Sequence, residues 1–265
     1  MLPAIVGHRG ARGEAPENTL ASFRRAVAAG VPEIELDVRL SADRQLFVLH
    51  DADLERTTGR RGAAQRKSLS VLTALDARHG LAGWSTPCPV PSLVQVLEDC
   101  PPSMRFQLEV KADGKAPLPG LARALAALVQ ERQLHDRVVV TSSSARFLGL
   151  MREQDAGIAR GYVCQYRHRK PIQTCVQLDC RWLISHYGLV SASLMKQARR
   201  HGFGVSVWTV NDLREAERLT ALQVDSIITD FPTAFRHHFH PPRWGGPPPA
   251  NGRRGPPRRL FPGAP

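Results

Sequence analysis

The sequence predicts an α/β fold, specifically a (β/α)8 TIM barrel, from three observations. The chain has 265 residues, of which 42% are hydrophobic, so it can bury a substantial core. Short apolar runs alternate with helical stretches over residues 1–235, a pattern typical of a mostly parallel sheet covered by helices. A body of this length suits the barrel, which typically has about 250 residues. A doubly wound open sheet is the alternative.

The candidate strands are short apolar runs separated by polar or helical segments. There are nine of them, one more than the barrel requires. The link between residues 38 and 46 is too short for a parallel crossover, which needs about a dozen residues. We therefore expect either a hairpin of 33–39 with 46–50 or one run that is not a strand. The nine runs are residues 4–7, 33–38, 46–49, 105–110, 137–141, 158–163, 182–185, 204–209 and 226–229.

The first helix is predicted after the first strand by apolar residues at helical spacing. Leu20, Phe23 and Val27 would share one face of this helix. Asn18 or Thr19 is a candidate N-cap residue, because both side chains can accept a hydrogen bond from the first turn. The same periodicity predicts two further helices, in residues 119–132 and 211–222.

Two segments do not follow the alternation of strands and helices. Residues 52–91 are rich in Thr, Gly, Arg and Pro and have no strong period, which predicts a small insertion. Residues 236–265 contain nine prolines, five glycines and six arginines but no acidic residue, a composition that does not build a packed core. We therefore expect a barrel over residues 1–235 followed by a flexible, disordered tail rich in Pro, Gly and Arg.

The composition excludes several classes of protein. No run of 18 or more apolar residues occurs, so we expect no membrane span. Five cysteines are too few for a disulfide-built scaffold. The first residues lack the basic and apolar segments of a secretion signal, so a cytoplasmic protein is expected. Half of the net charge of +12 lies in the tail. Because the charge is concentrated there, we expect no specific nucleic-acid partner. A weak electrostatic contact of the tail with nucleic acid is the alternative.

Acidic residues lie on two predicted strands that otherwise have the pattern of buried strands. Side chains alternate faces along a strand, so Glu35 and Asp37 share one face of the second strand, and Glu109 lies near the end of another. Unpaired buried charge is costly unless a cation or counter-charge compensates it. Three carboxylates favour a hard divalent cation, Mg or Ca rather than Zn. A salt-bridge network, for instance of Glu109 with Arg39 or Arg9, explains these residues equally well.

A histidine stands immediately after two of the predicted strands. His8 follows the first run and precedes Arg9, and His50 follows the third run. Barrel enzymes keep their chemistry at such strand ends. Imidazole titrates near pH 6.5, so one histidine can accept a proton while the other donates one. Arg9 offers a planar fork matched to phosphate oxygens. These groups, with a cation, are suited to cleaving a phosphate ester.

A set of short motifs runs through the body of the chain in a fixed order. They are HRG at 8–10, PENT at 16–19, IELDV at 34–38, HD at 50–51, RTTG at 56–59, LEVK at 108–111, VWTVN at 207–211 and ITD at 228–230. In this order and spacing the motifs resemble those of the glycerophosphodiester phosphodiesterase family. The resemblance extends to about residue 230 and does not include the tail.

The resemblance implies a metal-containing (β/α)8 barrel that hydrolyses small glycerophosphodiesters, such as glycerophosphocholine or glycerophosphoethanolamine, to sn-glycerol 3-phosphate and an alcohol. It implies a divalent cation, Mg or Ca, as the cofactor. The residues that match the family's site are Glu35, Asp37 and Glu109 as metal ligands, His8 and His50 as general acid and base, Arg9 and Lys111 as phosphate contacts, and Trp208 as a residue lining the substrate pocket.

The chain departs from the family pattern in the turn after the second strand. The family usually has a Thr-x-Asp-Gly turn there, whereas residues 41–44 read Ser-Ala-Asp-Arg. The glycine that eases a tight turn is therefore missing.

Two other functions remain open at this point. One is a phospholipase-like phosphodiesterase that acts on a lipid substrate, since similar barrels with paired histidines do so. The other is a non-catalytic protein that binds anions or nucleic acid through its basic tail.

Overall fold

The fold is a closed parallel barrel, seen in a computed structural model that describes residues 2–79, 81–113 and 116–241. The described strands are β1 Ala4–Gly7, β2 Glu33–Leu40, β3 Leu46–Val48, β4 Arg105–Val110, β5 Val138–Ser142, β6 Ala159–Cys164, β7 Trp182–His186, β8 Gly204–Trp208 and β9 Ser226–Thr229. Eight of these pair in the order β1-β9-β8-β7-β6-β5-β4-β2, and β1 also pairs with β2. This last pairing closes the ring. The barrel prediction is confirmed, and the open-sheet alternative is wrong.

The ninth strand, β3, lies outside the ring and pairs antiparallel with β2. Val38 is opposite Val48, and Leu40 is opposite Leu46. All nine predicted runs are therefore strands, and the hairpin was the correct alternative. In the turn of this hairpin Arg44 adopts a left-handed backbone conformation with φ of +60°. That conformation favours glycine, so an arginine occupies the strained position left by the missing turn glycine.

The helices alternate with the strands and pack on the outside of the barrel. Thr19 caps α1, because its side chain accepts a hydrogen bond from the backbone N–H of Ser22. Asn18, the other candidate cap, has a different partner described below. The described helices are α1 Leu20–Ala28, α2 Glu55–Thr58, α3 Leu69–Thr73, α4 Leu93–Asp99, α5 Leu118–Glu131, α6 Ala145–Gln154, α7 Pro171–Gln177, α8 Ala192–Arg200, α9 Leu213–Ala221 and α10 Pro232–Phe239.

The segment between β3 and α4 contains α2 and α3 and has a small hydrophobic cluster of its own. Phe47, Leu54 and Leu72 are fully or nearly fully buried in this cluster. The cluster is separate from the main core between the barrel and its helices. It covers the end of β3, and this places the residues that follow β3 beside the opening of the barrel.

The C-terminal end of the described chain is a helix that packs against β1. Phe235 and Phe239 are buried, and Arg236 donates a hydrogen bond to the backbone oxygen of Gly30. The sequence placed the start of the flexible tail at residue 236, which is too early, because α10 continues to Phe239. The remainder of the predicted tail, residues 242–265, lies outside the described residues.

None of the helices in the described part of the chain has the length and apolar content needed to cross a membrane.

Candidate active site

A cavity of about 570 Å³ opens at the carboxyl ends of the barrel strands. Seven of the eight residues that the sequence nominated line it, and the eighth, Asp37, lies below its floor with no exposed surface. The seven are His8, Arg9, Glu35, His50, Glu109, Lys111 and Trp208. The strand register brings them together, although they are spread over 200 residues of the chain.

Three carboxylates form the floor of the cavity. Asp37 and Glu109 are direct partners in the register of β2 with β4, and Glu35 lies two residues before Asp37 on the same face. One oxygen from each of the three lies within 4.8 Å of the others. Oε1 of Glu35 is buried and accepts no hydrogen bond from the described residues, whereas the buried Oδ1 of Asp37 has Lys111 Nζ as an ion-pair partner. Buried oxygens of this kind fit a hard divalent cation with oxygen ligands.

The electrostatics of the three carboxylates are consistent with such a cation. Burial raises the pKa of Glu35 well above its ordinary value, and the neighbouring charges of Asp37 and Glu109 raise it further. Burial also acts to raise the pKa of Asp37, but the charges of Lys111 and Arg9 outweigh it and hold this pKa far below its ordinary value. A cation bound beside Glu35 would lower the pKa of Glu35 and favour its ionised form, as Lys111 and Arg9 do for Asp37.

Two cationic side chains contact the carboxylates. Lys111 Nζ lies 3.0 Å from Oδ1 of Asp37 and 2.8 Å from Oε1 of Glu109. Arg9 Nε lies 3.2 Å from Oδ2 of Asp37. The salt-bridge network considered from the sequence therefore exists, but with different partners. Arg39 does not pair with Glu109 and instead lies 2.7 Å from Asp113.

His8 is held by a carboxylate from the other end of the chain. Its Nδ1 lies 2.6 Å from Oδ1 of Asp230, which follows β9. Asn211 donates a hydrogen bond of 2.8 Å to the second oxygen of Asp230. Although burial opposes it, the hydrogen bond from His8 lowers the pKa of Asp230. An ionised carboxylate only accepts hydrogen bonds, so Nδ1 carries the proton and Nε2 is directed toward Glu35, 3.9 Å away.

His50 has the same kind of partner, supplied by the next residue. Its Nδ1 lies 2.7 Å from Oδ1 of Asp51. Burial lowers the pKa of His50, and the charges of Arg9 and Lys111 lower it further against the opposing charge of Asp37. A neutral imidazole with a protonated Nδ1 leaves Nε2 as a proton acceptor.

Arg56 from α2 connects the two halves of the site. Its Nε donates to Oδ2 of Asp51 at 2.6 Å, and its terminal nitrogens donate to both oxygens of Glu17 at 2.8 and 2.7 Å. Glu17 also accepts a hydrogen bond of 2.7 Å from Arg9. Burial opposes ionisation of Glu17, but Arg56 and Arg9 lower its pKa to about 2. A continuous chain of charge-assisted contacts thus joins His50 to Arg9.

The loop between β1 and α1 holds Arg9, the residue after His8, in a strained backbone. Arg9 and Gly10 have φ of +49° and +87°. A Cβ at Gly10 would lie 2.5 Å from Ser22 Oγ, so the close approach of α1 requires glycine. The backbone N–H of Arg9 donates to Oε2 of Glu35 at 3.0 Å. Such strain persists only where the surroundings fix it, and it occurs most often at functional sites.

Asn18, also in a left-handed conformation with φ of +57°, supports the carboxylate floor. Its side-chain amide donates a hydrogen bond of 2.8 Å to Oδ2 of Asp37, and its oxygen accepts one of 3.3 Å from the backbone of Asp37. Its backbone N–H donates to the oxygen of Arg9. Asn18 therefore joins the loop that carries His8 to the strand that carries Asp37.

Sequence reasoning gave no role to Asp230, Asp51, Glu17 or Arg56. All four lie in the motifs that the chain shares with the family, namely ITD, HD, PENT and RTTG. Their place in these motifs was the one feature of the sequence that could have indicated a role in the site. Their contacts join residues from distant parts of the chain, which the sequence does not show. Trp208, in contrast, was nominated. It is half-buried in the cavity wall, and its Nε1–H donates to the oxygen of Ile184.

The closed barrel with a charged cavity at its strand ends defines an enzyme of the (β/α)8 class. The model of the glycerophosphoryl diester phosphodiesterase family matches residues 8–234. The chain therefore belongs to this family, and it is an enzyme with glycerophosphodiester phosphodiesterase activity. The resemblance inferred from the sequence motifs is confirmed.

Relatives of known name are similar over nearly their whole length. A glycerophosphodiester phosphodiesterase of Caldanaerobacter subterraneus is 28% identical, with 88% of this chain and 96% of that protein covered. A putative glycerophosphodiester phosphodiesterase of Bacillus subtilis is 30% identical, with 86% and 94% covered.

Solved structures agree with the sequence relatives. A putative glycerophosphoryl diester phosphodiesterase from Silicibacter pomeroyi superposes with a TM-score of 0.82 at 25% identity, covering 90% of this chain and 93% of that one. An Oleispira antarctica phosphodiesterase, solved in complex with the product sn-glycerol-3-phosphate, superposes with a TM-score of 0.80 at 27% identity, covering 89% and 96%.

Proposed function

We propose that the enzyme hydrolyses small glycerophosphodiesters, such as glycerophosphocholine or glycerophosphoethanolamine, to sn-glycerol 3-phosphate and an alcohol. The observation that carries the proposal is the grouping of two carboxylate-held histidines, three carboxylates and two cations around one cavity. The product bound in the Oleispira antarctica phosphodiesterase supports the choice of product. The cytoplasmic location stays a prediction of the sequence.

Glu35, Asp37 and Glu109 are proposed to hold a divalent cation, Mg or Ca. Their donors are all oxygens, and oxygen donors favour these hard cations over Zn. When bound there, the cation supplies Lewis-acid stabilisation of charge on the phosphate oxygens. The unpartnered Oε1 of Glu35 supports this assignment, because a buried acceptor without a partner is costly.

Arg9 and Lys111 are proposed to bind and orient the phosphodiester. Both line the cavity and both are anchored on Asp37. Lys111 has three N–H donors, and its two carboxylate contacts leave one donor for a phosphate oxygen. A fixed positive charge at the phosphate stabilises the negative charge that builds on its oxygens in the transition state.

The two histidines are proposed to move the protons of the reaction. Each holds its Nδ1 proton on a carboxylate, so each has Nε2 available for the reacting groups. One histidine removes a proton from the nucleophile, and the other protonates the leaving alcohol. The lowered pKa of His50 favours it as the proton acceptor. His8 is then the donor, and in that step its Nε2 carries a second proton, which passes to the leaving alcohol while Nδ1 stays on Asp230.

The test is release of sn-glycerol 3-phosphate from glycerophosphodiesters by the wild-type enzyme, with and without a chelator. We expect turnover that stops on chelation and returns with Mg or Ca. His8→Ala and His50→Ala should each lower kcat by roughly 10²–10⁴-fold. His201→Ala, which replaces an exposed histidine, is the matched control. Near wild-type turnover in either active-site variant would remove the assignment of the histidines.

A further inference from the structure

The loop that follows β6 gives one wall of the cavity a positive charge. Residues 156–178 contain no Asp or Glu, and residues 167–170 read Arg-His-Arg-Lys. Gln165, Tyr166 and Arg169 of this loop line the cavity. The charge of the loop follows from its sequence and does not depend on the rotamer of any one side chain.

Arg169 differs from the other arginines and lysines that line the cavity. Arg9 and Lys111 are paired with carboxylates of the floor, and Arg12 lies 3.1 Å from Glu17. Among the described residues, no ion pair or side-chain hydrogen bond involves the Arg169 guanidinium. Its charge is therefore available to a ligand in the cavity, whereas the charges at the floor are already balanced in part.

The position of the loop in the barrel separates it from Arg9, one of the two proposed phosphate contacts. In the strand order β6 stands four places from β1 around the ring of eight, so the loop after β6 lies across the opening from the loop that carries His8 and Arg9. A phosphodiester held by Arg9 and Lys111 can direct one of its two alcohol groups toward the loop. One of these alcohols is glycerol, which is neutral and is the same in every substrate. A charge at the loop can therefore distinguish substrates only by the charge of the second alcohol.

We propose that Arg169 and its loop form a subsite that selects glycerophosphodiesters whose second alcohol carries an anionic group, a carboxylate or a phosphate. This inference rests on the proposed function and narrows its substrate class. The carboxylates that line the cavity are Glu35 and Glu109, and both belong to the floor cluster. Within the described lining, a cationic alcohol such as choline therefore meets no free carboxylate near the loop.

Aromatic residues offer choline little compensation at this wall. The ring of Tyr166 stacks on His168, with centroids 5.6 Å apart, so one of its faces is covered. The indole of Trp208 has the ring of His186 against it, 5.7 Å away. A cation–π contact with an exposed ring is weak, and it competes here with repulsion by Arg169, which lines the same cavity.

The experiment compares kcat/KM for three classes of phosphodiester of sn-glycerol 3-phosphate. The second alcohol is choline (cationic), glycerol (neutral), or an anionic group supplied either by glycolate or by glycerol phosphate. The enzymes are wild type, Arg169→Gln, Arg169→Glu and the control Arg123→Gln, which removes an exposed charge from α5 outside the cavity. Thermal unfolding checks that each variant is folded.

For wild type we expect the anionic substrates to exceed choline in kcat/KM by about tenfold or more, the effect of one partly screened charge contact. The preference should disappear in Arg169→Gln and reverse in Arg169→Glu, with the neutral substrate and Arg123→Gln unchanged. It should also weaken at higher ionic strength. If only the carboxylate or only the phosphate substrate is favoured, the subsite selects that group.

Four results would overturn the subsite. Three of them are a wild-type preference for choline, equal preferences in wild type and Arg169→Glu, and a preference that does not change with salt. Turnover of all substrates at similar rates would remove the subsite and leave the proposed function intact. If no substrate released sn-glycerol 3-phosphate, the proposed function would fail and the subsite with it. If Arg169→Glu did not fold, Arg169→Gln and the salt dependence of wild type would still decide.

Discussion

Asp230 fixes which nitrogen of His8 carries a proton. The 2.6 Å contact between Nδ1 and the carboxylate requires a proton on Nδ1 and leaves Nε2 free. An amide at residue 230 can present its N–H₂ group to Nδ1 and stabilise the opposite tautomer. We expect Asp230→Asn to lower kcat by about 10²–10⁴-fold with little change in KM. Steady-state kinetics measure this split.

Asp212→Asn is the matched control for Asp230→Asn. Asp212 caps α9 through its side chain, and asparagine caps a helix as well as aspartate does, so its activity should equal that of wild type. Equal activity of Asp230→Asn and Asp212→Asn would show that the tautomer of His8 is not set by Asp230.

As the proposed proton acceptor, His50 is expected to set how activity depends on pH on the acid side. Burial and the nearby positive charges lower this pKa below its ordinary value, which is near 6.5. A proton acceptor is active only when unprotonated, so kcat/KM should fall as the pH falls through a value below about 6.5. The hydrogen bond to Asp51 acts to raise this pKa. Asp51→Asn should therefore move the acid limb to lower pH, besides lowering the maximum rate.

A pH–rate profile of wild type and Asp51→Asn tests whether the acid limb follows the pKa of His50. Asp53→Asn, which changes an exposed carboxylate two residues further along the chain, should leave the acid limb where it is. A limb that moves to higher pH in Asp51→Asn would exclude His50 as the group that titrates.

At the scale of elements, the short helix α2 acts on the site through Arg56. Its guanidinium contacts Asp51 and Glu17 at the same time, and these carboxylates hold His50 and Arg9. Lysine keeps the charge but lacks the planar fork that spans two carboxylates. We expect Arg56→Lys to lower kcat/KM by about tenfold or more, because two weakened positioning contacts of about 1 kcal/mol each act together. Steady-state kinetics at saturating cation measure the effect.

Arg61→Lys provides the comparison for Arg56→Lys. Arg61 lies on the same segment, is exposed, and has one long contact of 3.6 Å to Glu55. Its replacement should change neither kcat nor KM. If Arg56→Lys behaved like Arg61→Lys, the connection between α2 and the histidine would have no catalytic effect.

The β2–β3 hairpin contains strain that a single substitution can remove. Arg44 has φ of +60°, a conformation that costs a residue with a Cβ about 1 kcal/mol relative to glycine. Glycine loses more backbone entropy on folding, which offsets part of the gain. We expect Arg44→Gly to raise the free energy of unfolding by about 0.5 kcal/mol. Arg60→Gly, at an exposed residue outside the left-handed region, should lower it, and denaturant unfolding of both variants tests the difference.

Periodicity predicted the elements well and their edges less well. The nine strands could be predicted from short apolar runs, because parallel strands that are buried on both faces have nearly continuous hydrophobic sequences. The end of α10 was missed because prolines and arginines dominate the composition from residue 236 onward. Phe235 and Phe239, four residues apart on one helical face, are the apolar signal in that segment, and two residues are too few to outweigh its composition.

At the scale of the whole molecule, the site is a consequence of barrel closure. His8 follows β1 and Asp230 follows β9, and the pairing of these strands brings together residues 222 positions apart. The residue types at strand ends were enough to predict that carboxylates, cationic side chains and two histidines lie around one cavity. The partners that orient them depend on which strands are neighbours, and a single sequence does not contain that information without the fold.

Barrel closure also sets where the chain can be shortened. The helix α10 packs on β1 through Phe235 and Phe239, and Arg236 binds the end of α1 at Gly30. A chain that ends at Pro241 keeps all of these contacts and should unfold at the wild-type temperature with wild-type turnover. A chain that ends at Phe235 loses Arg236 and Phe239.

The loss of a buried phenylalanine costs about 3–5 kcal/mol, which corresponds to a fall in Tm of roughly 6–20 °C for a domain of this size. Because β1 carries His8 and Arg9 into the cavity, turnover of the shorter chain should decline at a temperature where the longer one is still active. Calorimetry and activity at a series of temperatures compare the two chains. Identical Tm values would mean that the barrel closes without the last turn of α10.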